Sequence, residues 1–303
     1  MSAAVTTQNE TLTARHVRRR RWTFPRVPFL IACLCLLGVG ILLYPSTAMW
    51  IAAKGQTGEL DNYLAETNAI GPQARLDTLA AASAYNQELS GGMTSIAAGE
   101  RIPQAGQPSS LPGYADQLRA DDQGTMARIK VPSIGVDLPI YHGTSDAVLE
   151  KGIGHLEGTA LPVGGKGTHS VLTGHRGLAS AELFTRLNEV QPGQDFTIEV
   201  FGEVLTYRVS TVEVVAPDQT QTLYPSADGD QVTLVTCTPL GINSHRILVT
   251  GDRVLPTPAK DEATAGNNPN TAGFPWWALA GGAALVASTF YVWWSGRHPI
   301  PTS

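Results

Sequence analysis

Two long uncharged stretches limit what this chain can become. Val27 to Ala53 holds 27 residues without one charged side chain, long enough as a helix rising 1.5 Å per residue to cross a hydrocarbon layer about 30 Å thick. A second run, Phe274 to Trp294, has 21 residues with Trp276, Trp277, Trp293 and Trp294 at its ends, the aromatic-belt pattern of a spanning helix. Six arginines, Arg15, Arg18, Arg19, Arg20, Arg21 and Arg26, stand before the first run against a single acid, Glu10. By the positive-inside rule they keep the amino terminus in the cytoplasm. The expected order is a basic tail at 1–26, a transmembrane helix at 27–53, everything to 273 outside the cell, a second transmembrane helix at 274–294 and a cytoplasmic tail at 295–303. A cleaved leader is the alternative for the first run, with Phe29 to Leu43 as its apolar part and Ser46-Thr47-Ala48 as its cutting site.

The net charge of −5 hides this division, since the basic head leaves the rest of the chain at about −10. The head lacks interleaved aromatics and ends at an apolar run, so it reads as a membrane anchor and no nucleic-acid partner is expected. Gly164-Gly165-Lys166-Gly167-Thr168 resembles a phosphate loop, but its spacing is wrong and a turn is the reading, so no nucleotide is expected. His142, His155, His169 and His245 show no i,i+4 pair and no Cys partner; they read as hydrogen-bonded turn residues, with no metal and no cofactor.

The exterior part opens with helical patterns at Thr57 to Glu66 and Pro72 to Leu89, the latter starting on a proline suited to a helix opening. Ser90 to Gly113 follows, with five Gly and three Pro in 24 residues, longer than an idle connection usually is. Together, 54–120 forms a helical and lid region. From 121 to 256 the pattern is short strands: Ala127 to Val131, Val136 to Ile140, Ser170 to Thr173, Phe196 to Phe201, Val204 to Val215, Val232 to Cys237 and Arg246 to Thr250. Helix is expected only at Ala147 to Lys151 and Ala181 to Leu187. Seven or eight short strands separated by Gly, Pro, Asn and Asp predict a mainly β fold, a closed or nearly closed barrel, followed by a linker at 257–273.

Chemistry concentrates in Gln231 to Arg253, QVTLVTCTPLGINSHRILVTGDR. Cys33 and Cys35 lie inside the first apolar run, so Cys237 is the one thiol of the exterior part and has no disulfide partner there. It sits at a strand end, with Arg246 opening the next strand. A permanent cation across a loop mouth from a thiol favours the thiolate. His175 lies in another sharp break, LTGHRG, 62 residues before Cys237, so the two can meet only through the fold. The plain alternative is a buried cysteine acting as apolar filler.

Thr233-Leu234-Val235-Thr236-Cys237 resembles the Thr-Leu-x-Thr-Cys signature of sortases, with His175 in Thr173-Gly174-His175-Arg176 and Arg246 at the family's histidine and arginine positions. The resemblance runs from about Tyr114 to Val254. Through LPIYHGT, GIGHLEGTALPVGG, THSVLTGHRG and CTPLGINSHR it is closest to the class C, pilin-polymerising sortases. Leu240 and Thr250 depart from the residues common there, and no Asp-Pro-aromatic plug occurs between Ser90 and Gly113.

The resemblance implies an eight-stranded sortase barrel with catalytic Cys237, His175 and Arg246. Leu234, Thr236 and Thr238, beside Cys237, are the expected substrate contacts. A lid is expected from the position of Ser90 to Gly113, with Ile102, Leu111 and Pro112 as its candidates, since no plug residue carries over from the resemblance. The implied partners are pilin subunits bearing LPxTG-like sorting signals, joined through a Lys amine, beside the lipid bilayer. Two other readings stand: a housekeeping sortase that anchors surface proteins to peptidoglycan, and a membrane-anchored barrel that binds without catalysing.

Overall fold

A computed structural model describes residues 22–91, 113–120, 123–219, 221–226, 228–268 and 272–297. The lid candidates Ile102, Leu111 and Pro112 fall outside the described residues. The first helix, α1, spans Arg26–Ala69 with Pro45 inside it. The first apolar run therefore does not end a helix at Ala53. The weak pattern at Thr57 to Glu66 is the continuation of α1, because Lys54 and Gly55 change its polarity without supplying a stop. A second helix, α2, covers Pro72–Gly91.

The chain forms two compact units, 1–44 with 276–303, and 45–275. In the first, α1 and a terminal helix are each long and apolar enough to cross a membrane, with peak mean hydropathies of 2.6 and 1.2. Leu30, Leu34, Leu37 and Leu42 are exposed along the first helix, as are Leu279, Leu285 and Val286 along the second. Such exposed apolar surface suits a lipid solvent, in which only the backbone has to be satisfied internally. Leu43 lies within 3.6 Å of where a Cβ on Gly281 would stand, so a small residue sits where these helices meet.

The second unit is a closed barrel. Its strands in chain order are β1 (Thr125–Val131), β2 (Val136–His142), β3 (Ile153–His155), β4 (Thr168–Thr173), β5 (Asp195–Val200), β6 (Glu203–Val215), β7 (Asp230–Thr238) and β8 (His245–Arg253). Around the barrel the order is β1-β2-β3-β4-β7-β8-β6-β5. Two pairings are parallel, β2 with β3 and β4 with β7. The latter brings two distant pieces of sequence side by side.

A third helix, α3 (Asp146–Lys151), starts on Ser145, whose hydroxyl caps the Val148 amide. The helix expected at Ala181 to Leu187 is absent. Those residues run through turns, with Leu183 at φ 40°, into a 3-10 turn at Leu187–Glu189. Ala181, Phe184 and Leu187 copy helical spacing because each drops into the barrel core.

The core follows from alternation. Along β7, Val232 and Leu234 belong to the main core with Leu172, Ile247 and Val249. Val235 instead joins Val171, Leu223 and Leu248 in a separate cluster on the opposite face, as period-2 geometry requires.

The histidines are strand residues rather than turn residues. His155 on β3 and His169 on β4 are buried, and His142 closes β2. The segment after β8, expected as a linker, carries a short helix, α4 (Ala259–Glu262), and lies against the barrel wall. Gly266 donates its amide to Glu199, and buried Arg128 donates to the Asn267 carbonyl while pairing with Asp137. The terminal helix, α5, is Trp276–Ser295.

Candidate active site

Strands β7 and β8 carry Cys237 and Arg246, and His175 lies in the loop that leaves β4, the neighbour of β7. Cys237 and Arg246 are direct partners in the antiparallel β7–β8 ladder, so their side chains share a face. On the other flank, Thr173 of β4 pairs with Val235 of β7 in a parallel register. His175 follows two residues beyond the last paired residue of β4, as Cys237 follows two beyond Val235 on β7. The parallel pairing of β4 with β7 brings together segments 62 residues apart in the sequence.

The chain leaving β4 is held in that register beyond the strand. The Gly174 amide donates to the Val235 carbonyl at 3.0 Å, and the Thr236 hydroxyl donates to the Gly174 carbonyl at 2.7 Å. The His175 carbonyl accepts from the Phe184 amide at 3.1 Å. Position 174 must be glycine for lack of space: a Cβ there would stand 2.7 Å from both Ile153 Cδ1 and Phe184 Cδ2.

The floor of the site is apolar. One step along the same outer face from Cys237 and Arg246 lie Val235 and Leu248, and a step further Val171, joined by Leu223 from the connection between β6 and β7. That connection is held down by His169. A carbonyl can only accept, so His169 Nδ1 donates to the Tyr224 carbonyl at 3.3 Å, leaving Nε2 to accept from Thr233 Oγ1 at 2.7 Å. Thr233 in turn meets Thr250 Oγ1 at 2.7 Å. Burial holds His169 below the ordinary histidine range, which keeps it neutral for this pairing.

Arg246 is only 7% exposed. Its Nη1 donates to the carbonyls of Asn243 and His245 at 2.9 and 3.0 Å, while Nε is buried without a partner. The Thr173 hydroxyl on the same face is likewise buried and unpaired. Buried polar groups are normally satisfied, so such a pair marks a surface prepared for an incoming polar group. Cys237 and His175 are half-buried.

The residues expected to contact substrate divide differently. Leu234 is fully enclosed in the barrel core and is not available to a ligand. Thr236 is 1% exposed and commits its hydroxyl to Gly174. Thr238 is half-buried, and its hydroxyl accepts from Arg176 at 2.8 Å. The signal that sorts them was present in the sequence: if Cys237 faces outward, period 2 puts Val235 and Thr233 on its face and turns Leu234 and Thr236 inward. Val171, Leu223 and Leu248 escaped notice because they sit on three separate segments. Among the described residues, no group of three or more His, Cys, Asp or Glu side chains is placed to hold a metal.

A closed eight-stranded barrel with a thiol and a guanidinium paired on adjacent strands, and an imidazole in the loop after the next strand, defines a cysteine-centred site on a β scaffold. The chain belongs to the sortase family, whose domain matches residues 129–254. Sortase C-1 from Actinomyces oris is 45% identical over 60% of this chain and 99% of that one, with a TM-score of 0.55. Sortase C2 of the group B Streptococcus pilus island 1 is 45% identical over 61% and 99%, with a TM-score of 0.52. Sortase D of Bacillus subtilis is 29% identical over 129 residues, 42% of this chain and 62% of that protein. The chain thus spans less than two thirds of that curated relative.

Proposed function

We propose that this chain is a membrane-anchored cysteine transpeptidase that cuts an LPxTG-like sorting signal between Thr and Gly and passes the acyl group to a Lys amine of a pilin subunit. The Cys237 thiolate attacks the scissile carbonyl carbon, and the C–N bond breaks as His175 protonates the departing glycine amine. The thioester left on Cys237 is attacked by the incoming amine. Its proton passes to His175, the C–S bond breaks, and the thiolate is restored. Arg246 stabilises the oxyanion in both halves.

The observation that carries this reading is the Cys237–Arg246 cross-strand pair, with a buried guanidinium whose Nε has no partner. A charged donor desolvated without an acceptor is costly in a resting protein and useful once negative charge develops nearby. The likeness to class C sortases, one of them from a pilus island, supports a pilin as substrate. The two apolar helices support membrane anchoring, and the arginines before the first support a barrel outside the cell.

The test is mass spectrometry of the full chain in detergent with a Leu-Pro-Glu-Thr-Gly peptide. A thioacyl adduct on wild type and none on Cys237→Ala is the expected result, followed by transfer to a Lys-containing pilin domain. Transfer to a peptidoglycan-type amine but not to Lys would assign the chain to surface anchoring. No adduct would reject catalysis.

A further inference from the structure

Arg176 stands one residue beyond His175, and Thr238 one residue beyond Cys237. The half-buried Arg176 guanidinium reaches three residues on two segments at once. Nη1 donates to Thr238 Oγ1 at 2.8 Å, Nε to the Thr185 carbonyl at 3.1 Å and Nη2 to Asn188 Oδ1 at 2.8 Å. The Gly177 amide adds a bond to Thr185 Oγ1 at 3.1 Å.

These contacts continue a ladder that the backbone has abandoned. The last parallel backbone pair of β4 and β7 is Thr173 with Val235. Past it, the two chains are joined on one side of the His175–Cys237 row by Gly174 to Val235 and by Thr236 to Gly174. On the other side they are joined by Arg176 to Thr238. The row is bracketed, and only the second bracket is made wholly of side chains. A planar guanidinium suits this because its forked donors point in fixed directions, which an ammonium cannot reproduce.

We propose that Arg176 is a positioning residue: by clamping Thr238 it fixes the separation of the His175 ring from the Cys237 thiol. Thr238 then serves through this bond, not as a substrate contact. The proposal rests on Cys237 and His175 being the reacting pair. Geometry is where such a clamp acts, since a misplacement of about 1 Å costs on the order of a hundredfold in rate. A role confined to holding the loop at 178–188 would use the Thr185 and Asn188 contacts instead.

The experiment compares wild type, Thr238→Val, Thr238→Ser, Arg176→Met and Asn188→Ala as full chains in detergent. It reads kcat and KM with a Leu-Pro-Glu-Thr-Gly peptide, and the pH profile of Cys237 alkylation by iodoacetamide. Thr238→Val is nearly isosteric, so it carries the test even if Arg176→Met does not fold. The expected result is a fall in kcat of about ten- to a hundredfold for Thr238→Val with KM within about twofold. The alkylation profile changes shape, Thr238→Ser restores both, and Asn188→Ala stays near wild type. A rise in KM alone would make Thr238 a substrate contact and overturn the clamp. So would wild-type kcat and profile in Thr238→Val, or an Asn188→Ala defect equal to that of Arg176→Met. Failure of wild type itself to form an adduct would show before any variant is made, and would remove the reacting pair on which the clamp rests.

Discussion

Cys237 and Arg246 face each other as direct partners of the β7–β8 ladder, and the guanidinium is held by two carbonyls, Asn243 of the loop between them and His245 at the start of β8. The cation is thereby fixed by its own turn, with Nη1 committed and Nε left unpaired in a buried position. On the proposed mechanism this is preorganisation: the donor is in place before any charge develops.

Arg246→Lys is expected to slow acylation of Cys237 by roughly 10² to 10³, the scale of losing one oxyanion donor. The ammonium keeps the charge but cannot bond both carbonyls and still present a second donor in the plane. Single-turnover thioester formation measures it. A wild-type rate would mean that Arg246 does not touch the reacting oxygen.

Gly174→Ala is expected to damage the site more than the fold. The added methyl meets Ile153 and Phe184 at 2.7 Å, so either the core side chains shift or the backbone leading to His175 moves outward. Overpacking of this kind costs about 1 to 3 kcal/mol in stability, while displacement of His175 lowers kcat by about a hundredfold. Thermal unfolding and peptide turnover, measured together, check it. A variant with lowered stability and unaltered kcat would refute the link between this contact and His175.

What the sequence made legible was what local pattern encodes. The long alternations that became β1, β2 and β4 to β8 were readable, as was the signature around Cys237. The strand Ile153–His155 was not, because three residues flanked by Gly152 show no alternation to detect; pairing with β2 and β4 makes it a strand. The false helix at Ala181 to Leu187 shows the converse. Its apolar spacing is real, but a plug across a barrel end can place side chains inward at intervals of three without any helical backbone. The alignment of His175 with Cys237 depends on the parallel β4–β7 pairing, which no local window contains. The roles of Leu234 and Thr236 depended only on phase, and counting outward from Cys237 would have assigned them.

Leu223 is 1% exposed and comes from a connection, not from a strand. Leu223→Ala should remove the one side chain that, among the described residues, this connection sends into the outer cluster of Val171, Val235 and Leu248. A cost of about 2 kcal/mol, the low end for Leu to Ala, is expected for a small cluster able to collapse. On the proposed function the floor meets the substrate and not the reacting groups, so KM should rise several-fold while kcat stays within about twofold. Equal losses in both would mean that the connection also supports the chemistry.

The fold should be acid-sensitive through His155. This residue is fully buried, and burial lowers its pKa to about 4. Its Nε2 donates to the Ala160 carbonyl at 2.9 Å, and its Nδ1 accepts from the Tyr114 hydroxyl at 2.8 Å, so the neutral ring is fully used. In the unfolded chain the same ring titrates near 6.5. Between that value and about 4 the unfolded state holds more protons than the folded one, so stability rises with pH across this window. The contribution is complete above about 6.5 and is lost as pH falls towards 4, with a magnitude on the order of 3 kcal/mol for a displacement of this size. His169, also held low by burial, acts in the same direction. Denaturant unfolding of the full chain at steps between pH 7 and pH 4 should show the decline. His155→Gln, which keeps a donor and an acceptor but cannot titrate, should be less stable at pH 7 and should flatten the profile. A slope unchanged by His155→Gln would place the acid sensitivity elsewhere.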